Sequence, residues 1–144
     1  SFPTRRSSDL LEEADCALLL DVNNIYVNSI NHRYDPGEFL RALPGERVAY
    51  VHVAGHYREA EDLVVDTHGA AVVDPVWELL GQAYAHFGVM PTLLERDFNI
   101  PPVPELLREV DVITTLQQAA PRRAGAAPAP APASGPVAEP RRAG

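Results

Sequence analysis

CALLLDVNN, residues 16–24, is the stretch on which the fold turns: an unbroken apolar run that closes on an aspartate and passes straight into paired asparagines. An apolar run without alternation is expected of a strand buried on both faces of a parallel sheet. We take Cys16 to Val22 as that strand, with Leu11 to Asp15 as the end of a preceding helix. Working outward, a polar loop leads to Asp35, a helix N-cap with Pro36 at the first helical position. Phe39, Leu40 and Leu43 give that helix an apolar face, and Pro44-Gly45 stops it. Arg47 to Val53 is a second strand. After a long loop, Asp74-Pro75 repeats the cap, and Val76, Leu79, Leu80, Ala83 and Phe87 recur at helical spacing until Gly88. Pro91 to Glu95 is a third strand, and a last helix from Pro104 runs through Leu106, Leu107, Val110, Ile113 and Leu116. Strand and helix alternate three times, so the fold class is α/β with a parallel sheet, either part of a barrel or an open doubly wound sheet. A complete (β/α)8 barrel takes about 250 residues, so three units are only a part of one.

The two ends read differently. Residues 1–10, SFPTRRSSDL, show neither helical nor strand periodicity and are read as a non-native, adapter-like segment. From residue 119 the chain becomes Ala/Pro-rich, and residues 119–144 are expected to form a disordered tail. Residues 11–118 are left as one partial domain.

Composition narrows the function classes. The chain has 144 residues, 46% of them hydrophobic, and a net charge of −8. Phosphate binding needs clustered Lys and Arg, and the Arg pairs here sit only in the terminal segments, so no nucleic-acid partner is expected. No apolar run approaches the roughly 20 residues of a membrane-spanning helix, and no signal peptide is evident, so a cytoplasmic protein without a membrane partner is expected. Cys16 is the only cysteine. Any metal must therefore be held by nitrogen and oxygen.

The strong polar signals fall where strands end: DVNN at 21–24, HVAGH at 52–56 and ERD at 95–97, with DTH at 66–68 in the loop after the second strand. Both α/β architectures build active sites at the C-terminal ends of their strands. Asp66 and His68 are two apart, so in an extended segment they point the same way. Asp21, His52, Asp66, His68 and Glu95 thus form a candidate metal set whose carboxylate oxygens and imidazole nitrogens suit Fe, Mn or Zn. Asn23, Asn24, His56, Arg96 and Asp97 are further candidates for metal or substrate contacts. Each residue also has a plain reading. Asp21 can cap a turn, His52 can be a satisfied core histidine, and Glu95 can pair with an arginine.

Taken together, LLLDVNNIYVNSINH, VAYVHVAGH, DTHGAAVVDPVW and PTLLERDFNIPP, in this order, resemble the multinuclear non-heme iron-dependent oxidase family, over approximately Cys16 to Glu109. The resemblance implies the C-terminal part of a TIM barrel related to xylose isomerase-like enzymes, with the three strands as its sixth, seventh and eighth. It implies two or three iron ions, dioxygen as co-substrate, and oxidative modification of cysteines in ribosomally made precursor peptides, as in methanobactin biosynthesis, the peptide being delivered by a small partner protein. It aligns Asp21, His52, Asp66, His68 and Glu95 with the family's metal-binding motifs, and it implies that an N-terminal half with further ligands is absent from this chain. Five ligands do not fill two or three iron shells of about four to six positions each, and three strands leave an exposed edge and a half-covered core. Two rival readings stand beside it: a divalent-metal sugar isomerase or endonuclease on the related barrel, working without redox change, and a non-catalytic fragment or interaction domain.

Overall fold

The computed structural model describes residues 3–121. Helix α1 (Pro3–Ala14) leads into strand β1 (Leu18–Asp21), and helices α2 (Val22–His32) and α3 (Pro36–Arg41) follow. A 3-10 turn (Gly45–Arg47) enters strand β2 (Val48–Ala54); a hairpin of β3 (Tyr57–Ala60) and β4 (Leu63–Val65) comes next. Helix α4 (Asp74–Phe87), strand β5 (Thr92–Glu95) and helix α5 (Val103–Ala119) complete the order. The α/β class expected from the sequence is what forms. β1, β2 and β5 make one parallel sheet in that spatial order. In register, Asp21 lies beside His52, and Ala54 beside Glu95.

Several local expectations are corrected. Pro3–Ala14 is helical, although SFPTRRSSDL lacks an apolar period: the helix is anchored at its far end, where Leu11 is buried. The polar loop expected after β1 is instead α2, which starts at once because the Asp21 side chain accepts the Asn24 N–H and caps it. The long loop after β2 holds the hairpin, whose strands are mostly exposed and so carry no apolar alternation to be read. Asp35 caps α3 as expected, accepting from the Glu38 N–H at 2.7 Å. Asp74 is the first residue of α4 rather than its cap, which is Val73. Of the expected tail, residues 122–144 lie outside the described residues.

The strands are not buried on both faces. Leu20, Val51 and Val53 point into the core, where they meet Val22 and Ile25 of α2, Leu40 of α3, Val76, Leu79, Leu80 and Tyr84 of α4, and Ile113 of α5. Because side chains alternate across a strand, the residues between them share the opposite face. That face carries Leu19, Tyr50 and Leu93, which are 37%, 39% and 50% exposed, and, one step further along each strand, Asp21, His52 and Glu95. One layer of helices covers one side, and the other side ends in the polar cluster.

At the far side of the core the Tyr84 hydroxyl meets the Thr92 hydroxyl and accepts from Gln117 Nε2, so that α4, β5 and α5 share one buried polar junction. A second junction is ionic. Arg96, just past β5, donates to Glu109 of α5 at 2.9 Å, while the other Glu109 oxygen accepts the Val72 N–H at 2.7 Å.

Candidate metal centre

Asp21 is placed by two demands at once. Its Oδ1 takes the Asn24 N–H at 2.8 Å, and its Oδ2 faces His68 Nε2 at 4.0 Å. The plain capping reading and the site reading are both realised, by different oxygens. Burial pushes the Asp21 carboxyl above its usual range; the Asn24 N–H opposes this, and the nearby Asp66 charge adds to it.

Asp66 follows β4 directly and His68 two residues later, so the hairpin carries them back over the strand ends. They do not lie in an extended segment: His68 has φ 52°, in the left-handed region that a non-glycine residue seldom adopts. The turn is tied down by the Asp97 N–H, which donates to the His68 carbonyl at 2.9 Å, and by Asn99 Nδ2 on the Gly69 carbonyl at 3.1 Å. Backbone held in this region is a recurrent feature of functional sites.

The His68 ring stands among carboxylates. Its Nε2 is 3.0 Å from Asp66 Oδ1, and its Nδ1 is 3.3 Å from Glu95 Oε2 and 3.4 Å from Asp97 Oδ2. Burial opposes charge on the ring, but Asp66, Glu95, Asp21 and Asp97 together outweigh it and carry the His68 pKa upward. His52 Nδ1 lies 3.1 Å from the same Glu95 oxygen. Thus all five sequence-picked residues are gathered in one network at the strand ends.

The further candidates separate. Asn23 and Asn24 both serve Asp66, Asn23 Nδ2 donating to Oδ1 at 2.5 Å and Asn24 Nδ2 to Oδ2 at 3.1 Å. His56 is buried and bonded to Asn23 at 2.8 Å. Asp97 stays half-exposed at the rim. Arg96 does not join the cluster; its guanidinium turns to Glu109 in α5. Glu109 and Asn28, whose Nδ2 donates to Asn24 Oδ1 at 2.8 Å, were not singled out from sequence. Glu109 lies inside a helical pattern and gains its task only through tertiary contact, whereas Asn28 reaches Asn24 across one turn of α2, in the stretch expected to be a loop.

Two observations test whether a cation fits here. One ligand atom each from Asp21, His68 and Glu95 lies within 4.8 Å of the others. His68 Nε2 is fully buried and has no hydrogen-bond partner, its 3.0 Å approach to Asp66 being an electrostatic contact only. A buried polar atom left this way is uncommon, and an oxygen-rich set with one free imidazole nitrogen suits a hard or borderline divalent ion.

A mixed α/β chain whose parallel strands end in a carboxylate–histidine cluster is the class this geometry defines. The model of the family described as "RiPP precursor modification enzyme MbnB/TglH/ChrH" matches residues 6–118, and the chain belongs to that family, the one its motifs resembled. Among curated relatives, a "UPF0276 protein" of Shewanella amazonensis is 67% identical over 119 residues, covering 81% of this chain and 43% of that protein. One of Shewanella loihica is 70% identical over 106 residues, covering 74% and 38%. One of Pseudomonas aeruginosa is 57% identical over 118 residues, covering 82% and 40%. The chain therefore spans about two fifths of the length of these relatives. Among the described residues no helix is long and apolar enough to cross a membrane.

Proposed function

We propose that this chain supplies one side of a multinuclear iron centre in an oxidase that uses dioxygen to modify cysteines of ribosomally made precursor peptides. The observation that carries the reading is the convergence of Asp21, His68 and Glu95 in a chain of a peptide-modifying family. When bound, iron would supply one-electron redox chemistry toward dioxygen and a Lewis-acidic seat for a cysteine thiolate.

The chain's own residues then have separable tasks. Asp21, His68 and Glu95 would hold the ion, and His52 and Asp66 would complete the donor set of five. Asn23 and Asn24 orient the Asp66 carboxylate. Asp97, half-exposed beside His68, would be open to contact with an incoming peptide. Five donors fall short of two or three ions at about four to six positions each, and the remaining ligands belong to the part of the relatives that this chain does not span. The same part would cover the face of Leu19, Tyr50 and Leu93 as the interior of a TIM barrel. The strand order β1-β2-β5 supports a barrel arc, because it shows no reversal of the kind that opens the crevice of a doubly wound sheet. The intact protein would act in the cytoplasm on a peptide handed over by a partner protein.

Two measurements test this. For the chain itself, cobalt(II) titrated into the protein should give a visible d–d spectrum. Glu95→Gln should weaken that binding by at least about tenfold while leaving the melting curve in place; equal affinity in both proteins would remove Glu95 from the site. For the function, the Shewanella amazonensis relative, prepared without oxygen, should contain iron with a paramagnetic resonance signal. It should also change the mass of a cysteine-bearing precursor peptide only when dioxygen is admitted. Zinc or manganese as its sole metal, with turnover surviving iron removal, would favour a non-redox isomerase or nuclease instead.

A further inference from the structure

Consecutive asparagines open α2, and each gives its amide N–H to a different oxygen of Asp66. A primary amide can rotate by half a turn and offer its oxygen instead, so something must hold each one the right way round. Asn24 is held by Asn28, which donates to its Oδ1 at 2.8 Å. Asn23 has no such neighbour in its own helix. The group at its oxygen comes from 33 residues away: His56 Nδ1, at 2.8 Å, in a fully buried pair.

The direction of this chain of bonds follows from chemistry alone. The Asp66 carboxylate accepts and does not donate, so Asn23 must turn its NH2 toward it. Asn23 Oδ1 is then the atom facing His56, and an amide oxygen only accepts. His56 must therefore carry its proton on Nδ1. We infer that His56 is a positioning residue: as the Nδ1–H tautomer it locks the Asn23 amide, and through it the Asp66 carboxylate, in the orientation that borders His68. The purpose assigned to that orientation, preparing Asp66 as a metal donor, rests on the function proposed above; the tautomer and the lock do not.

The surroundings support a neutral, fixed ring. His56 is 8% exposed and Asn23 is wholly buried. Tyr26 lies against the imidazole at 5.3 Å between ring centroids. Burial, with Arg58 adding to it, holds the His56 pKa below its ordinary value, against a smaller opposing pull from Asp66. Gly55, immediately before it, runs so close to the Ala70 carbonyl that a Cβ there would stand 2.0 Å from its oxygen. Sequence placed His56 among the candidates for metal or substrate contact; in the structure its Nδ1 is committed to another side chain, one step removed from the cluster.

The test reads the proton directly. Long-range 1H–15N correlation spectra of the uniformly labelled 144-residue chain, recorded with a chelator present, should show His56 with a protonated Nδ1 and a bare Nε2. His56→Leu should erase that signal and collapse the two distinct Asn23 amide proton resonances toward a single averaged environment. His56→Asn places an amide N–H close to where Nδ1–H stood, and should restore them. The Nε2–H tautomer, or the averaged pattern of an unfolded histidine, would overturn the assignment, as would Asn23 signals unchanged in His56→Leu. Because the spectra are read without metal, a chain that binds no cobalt yet shows the Nδ1–H tautomer would reject the metal centre and leave the positioning role standing. In the cobalt titration, His56→Leu should weaken binding by about 10–100-fold, the usual loss for a partner that orients a ligand, and His56→Asn should recover most of it.

Discussion

Replacing Glu109 with alanine is expected to cost about 3–5 kcal/mol, the range for breaking a buried ion pair from one side. The Arg96 and Glu109 side chains are only 8% and 15% exposed, at 2.9 Å from one another. Arg96 Nε already lacks a partner, so removing the carboxylate would leave a largely unsatisfied guanidinium in the protein interior. The Val72 N–H loses its acceptor in the same stroke. The damage would not stay in α5. Arg96 follows Glu95 directly, and Val72 lies four residues beyond His68, so Glu109 fastens both segments that bring residues to the cluster. Urea unfolding of Glu109→Ala against the parent chain measures this. A difference under about 1 kcal/mol, the scale of an exposed pair, would show that water reaches the guanidinium. Glu109→Gln keeps an acceptor and should fall between the two.

Gly55→Ala should do comparable harm by a different route. A Cβ at Gly55 would stand 2.0 Å from the Ala70 oxygen and 2.5 Å from the Ala71 oxygen. Both are backbone atoms, so no side-chain rotation relieves the clash, and the 69–71 segment must move bodily away from β2. Overpacking of this kind costs about 1–3 kcal/mol and more where the backbone cannot yield; we expect a loss at or above the top of that range, seen as a lowered melting temperature and the loss of cobalt binding. Gly81 makes the matched comparison. It lies inside α4, and a Cβ there would meet Leu116 Cδ2 at an ordinary 3.7 Å. Gly81→Ala should therefore stabilise the chain by roughly 0.5–1 kcal/mol. Equal effects at the two glycines would mean that close approach is not what Gly55 serves.

What the sequence disclosed followed from how strongly each element is marked by burial. The runs around Leu20, Val51 and Leu94 announced strands because their core-facing positions are apolar, and helix α4 was legible from its stripe. Asp35 was readable as a cap because the signal is local. The hairpin was not, since Tyr57 to Val65 is mostly exposed and its register depends on partners elsewhere; Asn31, for one, clasps both the N–H and the carbonyl of Val64. The cluster was legible as a set of residue types at strand ends. Its internal wiring was not: that Arg96 turns away from the cluster to Glu109, that His68 is held in a left-handed turn by Asp97 and Asn99, and that His56 answers to Asn23 all depend on residues distant in sequence. The first strand, expected to be buried on both faces, is covered on one only, in keeping with the half-covered core that three strands were expected to leave. Apolar Leu19, within that run, read as buried, but it shares an exposed face with Tyr50 and Leu93, and among the described residues nothing lies over them.

Asp21 has one further consequence. With one oxygen it closes the first turn of α2, and with the other it looks into the cluster, so the helix start and the site are mechanically one piece. A cation that drew the carboxylate toward itself would tug on the Asn24 amide, and a helix that frayed would let the carboxylate swing. The beginning of α2 would thus work as a strain gauge for the cluster, its backbone amides registering a cation bound at Asp21.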